Sequence, residues 1–434
     1  MYEMYNSMSN KFDSYDVIVA GAGIGGLLSA ALLSNRGFSV IVFEKLSFIG
    51  GRFTSFNFKG YEIPTGAIHM IPNSRGTFAE ILKEFGISYK KADLWAELKW
   101  KDQRKSCKHM FGFIKTLKST SARLALIKII FKSMMPPKDH AMSFDEYLES
   151  QTQNEELHQF FEAFVNFSLS LSLKDISAKK MLEIGRKVIL LGGPIIPIGG
   201  CKGVIKELEK IILENNGKII TNADIQEICV SEEKAEGIIV KTGKELFKVK
   251  GKYLISNLGP KKTYEKIDKN KYSKLLVNLN KNNPPAGITI SIGSSKDLLG
   301  HSGITFTPIC ERICGIVQPT KIDPSLAPKG KHLMLTHQIV KSKDIKKEIE
   351  LGVIDLYNIF PEFDKYCEIL CTHSFYNDWP VNYLTPDKDL PNITQIENLF
   401  MVGDGNKTNA RIMTEGVAHG VRQVTDTILF SENS

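Results

Sequence analysis

Asp16-Val17-Ile18-Val19-Ala20-Gly21-Ala22-Gly23-Ile24-Gly25-Gly26 is the stretch on which the fold turns. A short apolar, β-branched run ends in a glycine turn, and Leu27, Leu28, Ala31 and Leu32 then recur at helical spacing until Gly37. A second apolar run, Ser39-Val40-Ile41-Val42-Phe43, closes on Glu44, which stands 23 residues after Gly21. An acid about 20 residues past the first glycine is what a dinucleotide-binding βαβ unit needs. Gly21 permits the tight turn, Gly23 lets backbone amides approach a pyrophosphate, and Gly26 lets the helix pack closely on the strand. The first helical turn, with Ile24 and Gly25, presents free N–H groups and a partial positive charge to phosphates. Glu44 is placed to accept hydrogen bonds from ribose hydroxyls, and Lys45 follows it on the same side of the site. G-x-G-x-x-G alone is a weak signal. Strand, turn, helix and acid together predict an α/β, Rossmann-like domain with a bound dinucleotide.

Gly50-Gly51-Arg52 begins six residues after Glu44, and Gly66-Ala67 follows. Here the chain resembles the flavoprotein family of amine oxidases, phytoene desaturases and carotenoid isomerases. The resemblance implies FAD, held in a glutathione-reductase-type domain with an inserted α+β substrate domain. It places the Gly-Gly-Arg turn between the diphosphate and the ring, with Arg52 on the diphosphate, a role that suits a planar, permanently charged guanidinium. Pro197-Ile198-Gly199-Gly200 before a helical stretch to Asn215, the strand runs 218–220, 223–228 and 237–240, and Tyr253-Leu254-Ile255-Ser256-Asn257 match the same pattern. By that match the backbone at Ile225 meets the adenine, and Asn257 closes a serine–asparagine turn beside the cofactor. The C-terminal run Asn398-Leu399-Phe400-Met401-Val402-Gly403-Asp404-Gly405 and the helix opening near Met413 and Thr414 are the second strong match. There Gly403 and Asp404 are expected at the ribityl chain, and the start of the helix at the pyrimidine edge of the flavin. This block lacks the glycine- and proline-rich stretch of bacterial phytoene desaturases. It is closer to isomerase-like and archaeal-type relatives.

Beyond these motifs the chain is an ordinary globular one: 434 residues, 42% hydrophobic and 24% charged. That excludes a disordered or fibrous protein and suggests two or three domains. The uncharged run Val17–Asn35 is broken by glycines and reads as strand, turn and helix, not a membrane span. Asp13 and Asp16 argue against a signal peptide. Seven cysteines without a C-x-x-C fit a reducing cytoplasm. Cys310 with Cys314, and Cys367 with Cys371, read as small buried apolar residues, and no metal site is expected.

The net charge of +8 is local. Between Asp102 and Asp139 there is no acid, yet the segment holds nine of the 56 basic residues; the remainder nearly balances the 48 acids. Leu124, Ile127, Phe131 and Met134 recur within it at helical spacing, with Lys128 and Lys132 on another side. Two readings stay open: a helix covering the substrate domain with a solvated lysine face, or peripheral membrane contact through residues 103–138. Nucleic acid is not an expected partner, because no aromatic platform accompanies the charge.

The motifs assign residues 12–72, 195–269 and 391–434 to a discontinuous FAD domain, and 73–194 and 270–390 to the substrate domain. Asn282-Asn283-Pro284-Pro285 reads as a turn before a strand from Gly287, and 345–360 as a helix. His69 follows Gly66-Ala67 and is the candidate acid or base at the flavin. Trp379-Pro380-Val381-Asn382-Tyr383 is expected to form an aromatic wall. The resemblance implies an FAD-dependent oxidoreductase acting on a lipophilic, isoprenoid- or carotenoid-like molecule, by desaturation with hydride transfer to flavin N5 or by flavin-dependent isomerisation. Its electron acceptor is not encoded in any motif; oxygen, a quinone or a protein carrier would serve. The alternatives are a flavin amine or amino-acid oxidase and, outside catalysis, a prenyl-lipid carrier of the dissociation-inhibitor type. The expected location is cytoplasmic, with or without membrane association.

Overall fold

A computed structural model describes residues 14–66, 68–100, 103–135, 142–268, 270–281, 284–407 and 409–433. Ala67 and the pair Asn282-Asn283 lie outside the described residues. Two seven-stranded sheets dominate. In the first, β1 (Ser14–Ala20) lies between β2 (Val40–Phe43) and β12 (Glu245–Ser256), and β9 (Lys218–Ile220) continues beyond β2, all parallel. The meander β10 (Ala223–Ser231), β11 (Lys234–Thr242) and β12 feeds this core, and β18 (Leu399–Met401) runs parallel to the end of β12. Val17–Ala20 and Val40–Phe43 are fully buried, as strands covered on both faces must be.

The glycine turn works as its sequence requires. Gly21 has φ +97°, open to glycine at little cost. A Cβ on Gly26 would overlap the carbonyl oxygen of Gly21, so only hydrogen lets α1 (Ile24–Ser34) lie this close to β1. One face of the sheet is covered by α1, α2 (Thr77–Glu84), α7 (Gly200–Glu214) and the long C-terminal α12 (Met413–Asn433). The sequence assigned residues 73–88 to the second domain, yet Phe78, Ile81 and Leu82 of α2 belong to this core. The cause is a distant contact: buried Glu415 accepts the N–H groups of Thr77 (2.9 Å) and Phe78 (3.0 Å), supplying from α12 the cap that Gly76 cannot. Against the other face pack the meander and parts of α8 (Pro260–Ile267), with α9 (Ser273–Asn280) beside it.

The second sheet has the order β17 (Cys367–Phe375), β13 (Gly287–Ser294), β16 (His332–Ile339), β15 (Ile313–Val317), β14 (Ile304–Phe306), β6 (Ala96–Trp100), β7 (Gln103–Cys107). Ile288, Ile290 and Ile292 of β13 point to a core covered by α10 (Ile345–Ile359) and α11 (Phe363–Tyr366). The alternate residues Gly287, Thr289, Ser291 and Gly293 face the other way, towards the nucleotide domain. A helical cap, α3 (Thr120–Met134), α4 (Phe144–Gln151), α5 (Glu155–Leu169) and α6 (Ala178–Leu191), packs on the same side of this sheet through Phe113, Phe160, Phe164 and Phe306. The hairpin β3 (Ser55–Phe58)–β4 (Tyr61–Pro64) and the pair β5 (Tyr89–Lys91)–β8 (Ile195–Pro197) tie the layers together.

Gly26→Ala is expected to cost about 3 kcal/mol, because the strand or helix must move to admit a methyl group. Gly185→Ala, whose new Cβ would come no nearer than 3.9 Å to Ser133, is the helical control and should gain up to about 1 kcal/mol. Urea unfolding of the two variants checks this; equal midpoints would remove the close-packing account of Gly26.

Candidate active site

A cavity of about 490 Å³ separates the first sheet from the second. On the nucleotide side it is lined by Gly21, Gly23, Ile24, Glu44, Lys45 and Ile225, and in its middle by Gly50, Gly51, Arg52, Gly66, Asn257, Gly403 and Asp404. Met413 and Thr414 stand at its far side with Phe167, Thr289, His337 and Phe375. Three glycine turns distant in sequence therefore meet. Glu44 is fixed by main chain on both oxygens, Oε2 accepting from Ala22 N (2.8 Å) and Oε1 from Leu46 N (2.9 Å). Asn257 joins two of the turns: with its amide oriented to satisfy both atoms, it accepts from Gly23 N and donates to Val402 O, each at 3.2 Å.

Asp404 is the hub. Its carboxylate accepts from Arg52 Nη2 (2.8 Å) and the Tyr383 N–H (2.7 Å), and it pairs with buried Lys407. Burial opposes ionisation of Asp404, but Lys407 and Arg52 outweigh it and hold the carboxyl below its usual range. Lys407 is likewise buried against its charge, and Asp404 and Asp389 raise it above the ordinary lysine range. Asp389 sits 3.4 Å from Lys407 with Oδ1 otherwise unpartnered. Burial pushes it up to about 6 against the pull of Lys407, and Asp404 adds to the rise.

Arg52 donates Nη1 to Pro380 O (2.5 Å) and Val381 O (3.0 Å) and lies over the Tyr383 ring at 4.6 Å. These protein acceptors make Arg52 a clamp between the 379–383 loop and the Gly-Asp-Gly turn, on the wall of the cavity where the diphosphate was expected. Trp379 and Tyr383 of that loop line the cavity, and Trp379 Nε1 donates to Thr65 O (3.3 Å).

Met413 adopts φ +50° at the start of α12, a costly conformation for a non-glycine residue, and Thr414 Oγ1 is buried without a partner. On the second sheet, Thr289 is buried with Oγ1 unpartnered. His337 donates or accepts at Nε2 with Ser170 Oγ (2.7 Å), and burial lowers its pKa to about 4. His337 is thus uncharged at ordinary pH. Ile68, Phe167, Ser168 and Met413 also border a small adjoining recess of about 40 Å³, otherwise lined by apolar side chains such as Trp95, Phe164, Val188 and Phe306.

His69 is not at this cavity. Its Nδ1 accepts from Cys201 N (3.0 Å), so Nε2 carries the proton and donates to Glu62 O (2.7 Å). Fully buried, with burial lowering its pKa, it fixes the start of α7 and has no ring nitrogen left for proton transfer. Gly25 and Gly26 belong to the first turn of α1, next to the lining residues Gly23 and Ile24, whereas Ala67 lies outside the described residues. Thr289, His337, Asp389 and Lys407 were missed. No local motif marks them; the only signal was the alternation of small polar residues with isoleucine along 287–293.

Residues 19–85 match the model of the NAD(P)-binding Rossmann-like domain. Fold and cleft together are those of a Rossmann-type dinucleotide-binding protein with an inserted α+β domain. An uncharacterised protein of Methanocaldococcus jannaschii is 37% identical over 94% of this chain and 98% of its own length. A solved oxidoreductase of Methanosarcina mazei is 34% identical, with a TM-score of 0.85 over 96% of this chain and all of that one. The chain belongs to the family of these two proteins. Carrot prolycopene isomerase is 23% identical over 78% of this chain and 64% of its own. Putrescine oxidase shares the fold at 13% identity, with a TM-score of 0.71 over 96% of this chain and 99% of that one.

Because its pKa in the folded chain is raised, Asp389 favours folding fully below about pH 4 and loses that contribution as pH rises through about 6. Asp389→Asn cannot lose it. The variant should therefore gain on the wild type between pH 4.5 and 7, by on the order of 1–3 kcal/mol, read as a widening difference in Tm. A difference that stays constant with pH would contradict the assignment.

Proposed function

We propose that this protein is an FAD-dependent oxidoreductase acting on a lipophilic, isoprenoid- or carotenoid-like substrate, by desaturation or by flavin-dependent isomerisation. The donor set supports the cofactor. The N-terminus of α1 has no side-chain cap, so its first-turn N–H groups are free for a diphosphate, as a helix start over a glycine turn provides. Glu44 would take the ribose, the backbone at Ile225 the adenine, and the start of α12, with the orphaned Thr414 hydroxyl, the polar edge of the ring. FAD when bound supplies hydride exchange at N5; the chain supplies position, a closed pocket and the positive end of α12.

The observation that carries the substrate class is the change of lining across the cavity. Charges and backbone amides lie on the nucleotide side. Around Met413 stand Phe167, Thr289, His337 and Phe375, and the recess beyond is lined almost wholly by apolar and aromatic side chains. A polyene or other isoprenoid fits such walls, and the likeness to prolycopene isomerase supports the same class. The apolar recess weighs against the amine-oxidase reading, whose substrates are small and polar.

The test is an absorption spectrum of the purified protein, followed by heat release and identification of the cofactor. The near-ultraviolet and blue bands of oxidised flavin, with one FAD per chain, are expected. Anaerobic incubation of the holoprotein with acyclic carotenoids should then alter the carotenoid or bleach the flavin, and amines should not. A folded, colourless protein that takes up no added FAD would overturn the reading and return the carrier alternative. Glu44→Ala is expected to weaken FAD at least tenfold in a fluorescence titration, the loss of ribose hydrogen bonds to a charged acceptor.

A further inference from the structure

We infer that the outward face of α3 docks on an anionic lipid bilayer. The helix carries two apolar stripes. Ala122, Ala125, Leu126 and Ile129 are buried in the cap. The second stripe is in the open: Leu124 is 63% exposed, Ile127 47%, Phe131 62%, Met134 41% and Met135 46%. The first four fall within a third of the helical circumference and make one face, not scattered surface residues, and Met135 follows directly at the end of the helix. Arg123 and Lys128, both exposed, border it on its two sides. Lys108, Lys115 and Lys118, also exposed, precede it.

Charge complementarity selects the occupant. The sequence between Asp102 and Asp139 contains no acid, and Glu156 of the neighbouring α5 is turned onto the backbone N–H of Lys118 at 2.9 Å. A second copy of this chain, laid face to face, would set lysines against lysines. A surface of anionic headgroups over acyl chains matches both features, with apolar side chains inserted and basic ones at the headgroup level. The placement also suits a lipophilic ligand. Helix α6, on which α3 packs, lines the apolar recess through Val188.

Co-sedimentation of the full-length protein with vesicles tests this without turnover or flavin, so it succeeds or fails separately from the cofactor reading. Binding is expected to phosphatidylcholine vesicles containing phosphatidylglycerol, weaker binding to phosphatidylcholine alone, and loss in high salt. Leu124→Ser with Phe131→Ser should lower the partition coefficient at least tenfold. Arg123→Gln with Lys128→Gln should lower it by about tenfold and flatten the salt dependence. All four positions are exposed, so both variants should keep the wild-type Tm. Absence of wild-type binding, or variants that bind as well as the wild type, would overturn the proposal. So would a dimer in light scattering that the serine variant dissociates, since a second copy would then cover the face.

Discussion

The Asp404 carboxylate is the constraint on which the site depends. It accepts from Arg52 after the second glycine turn, from the backbone of Tyr383 in the loop after β17, and from Lys407 on its own turn. No pair of these segments is close in sequence. Lys407 is buried and Arg52 half-buried, and a charge withdrawn from water is tolerable only with its partner in place. Loss of the carboxylate would leave Arg52 and Lys407 repelling each other inside the wall, and the 379–383 loop would lose its anchor. The cluster thus costs desolvation and returns geometry: it fixes where the nucleotide half of the cavity ends and the chamber begins.

Around that hub the main chain forms much of the cavity wall. The turns at Gly21–Gly26 and Gly50–Gly51 contribute almost no side chain to the cavity, and α1 points an uncapped N-terminus into it. Asn257 and Glu44 hold these backbones by hydrogen bonds to N–H groups, so they shape the cleft as well as facing it. Strain is confined to the far end, where Met413 adopts a left-handed conformation at the entry to α12. The buried contact of Glu415 with α2, two residues on in the same first turn, is one of the interactions that hold it there.

The nucleotide half was legible because its requirements are local. A tight turn, a close backbone approach and an acid at a strand end each restrict one position to one or two residue types. The rest was not, because it depends on contacts across long stretches of chain. Glu415 capping α2 moved residues 73–88 onto the nucleotide sheet, and nothing near either residue announces that. His69 was misplaced for a related reason: its position beside a glycine motif fixes its backbone, but the direction of its ring is set by Cys201 and Glu62. In α3 the periodicity revealed an apolar stripe correctly. Only the structure distinguishes that stripe from the second one, at Ala122–Ile129, which packs inward.

The two halves of the cavity differ in a way that bears on chemistry. The nucleotide half is built of charges in balance and of helix N-termini, an environment that stabilises anions. The chamber beyond Met413 is bounded by Thr289, Phe167, Phe375 and one titratable side chain, His337. Burial holds His337 neutral well below physiological pH, and its imidazole is oriented by Ser170 and flanked edge-on by Phe167. A protonated imidazole there would meet no carboxylate among the chamber residues Thr289, Phe167 and Phe375, so neutrality is the stable state of the site and not an accident of pH. Such a chamber selects by shape and apolar contact, with the Thr289 hydroxyl and the His337 pair available to orient a neutral polar group or to leave one unaccommodated.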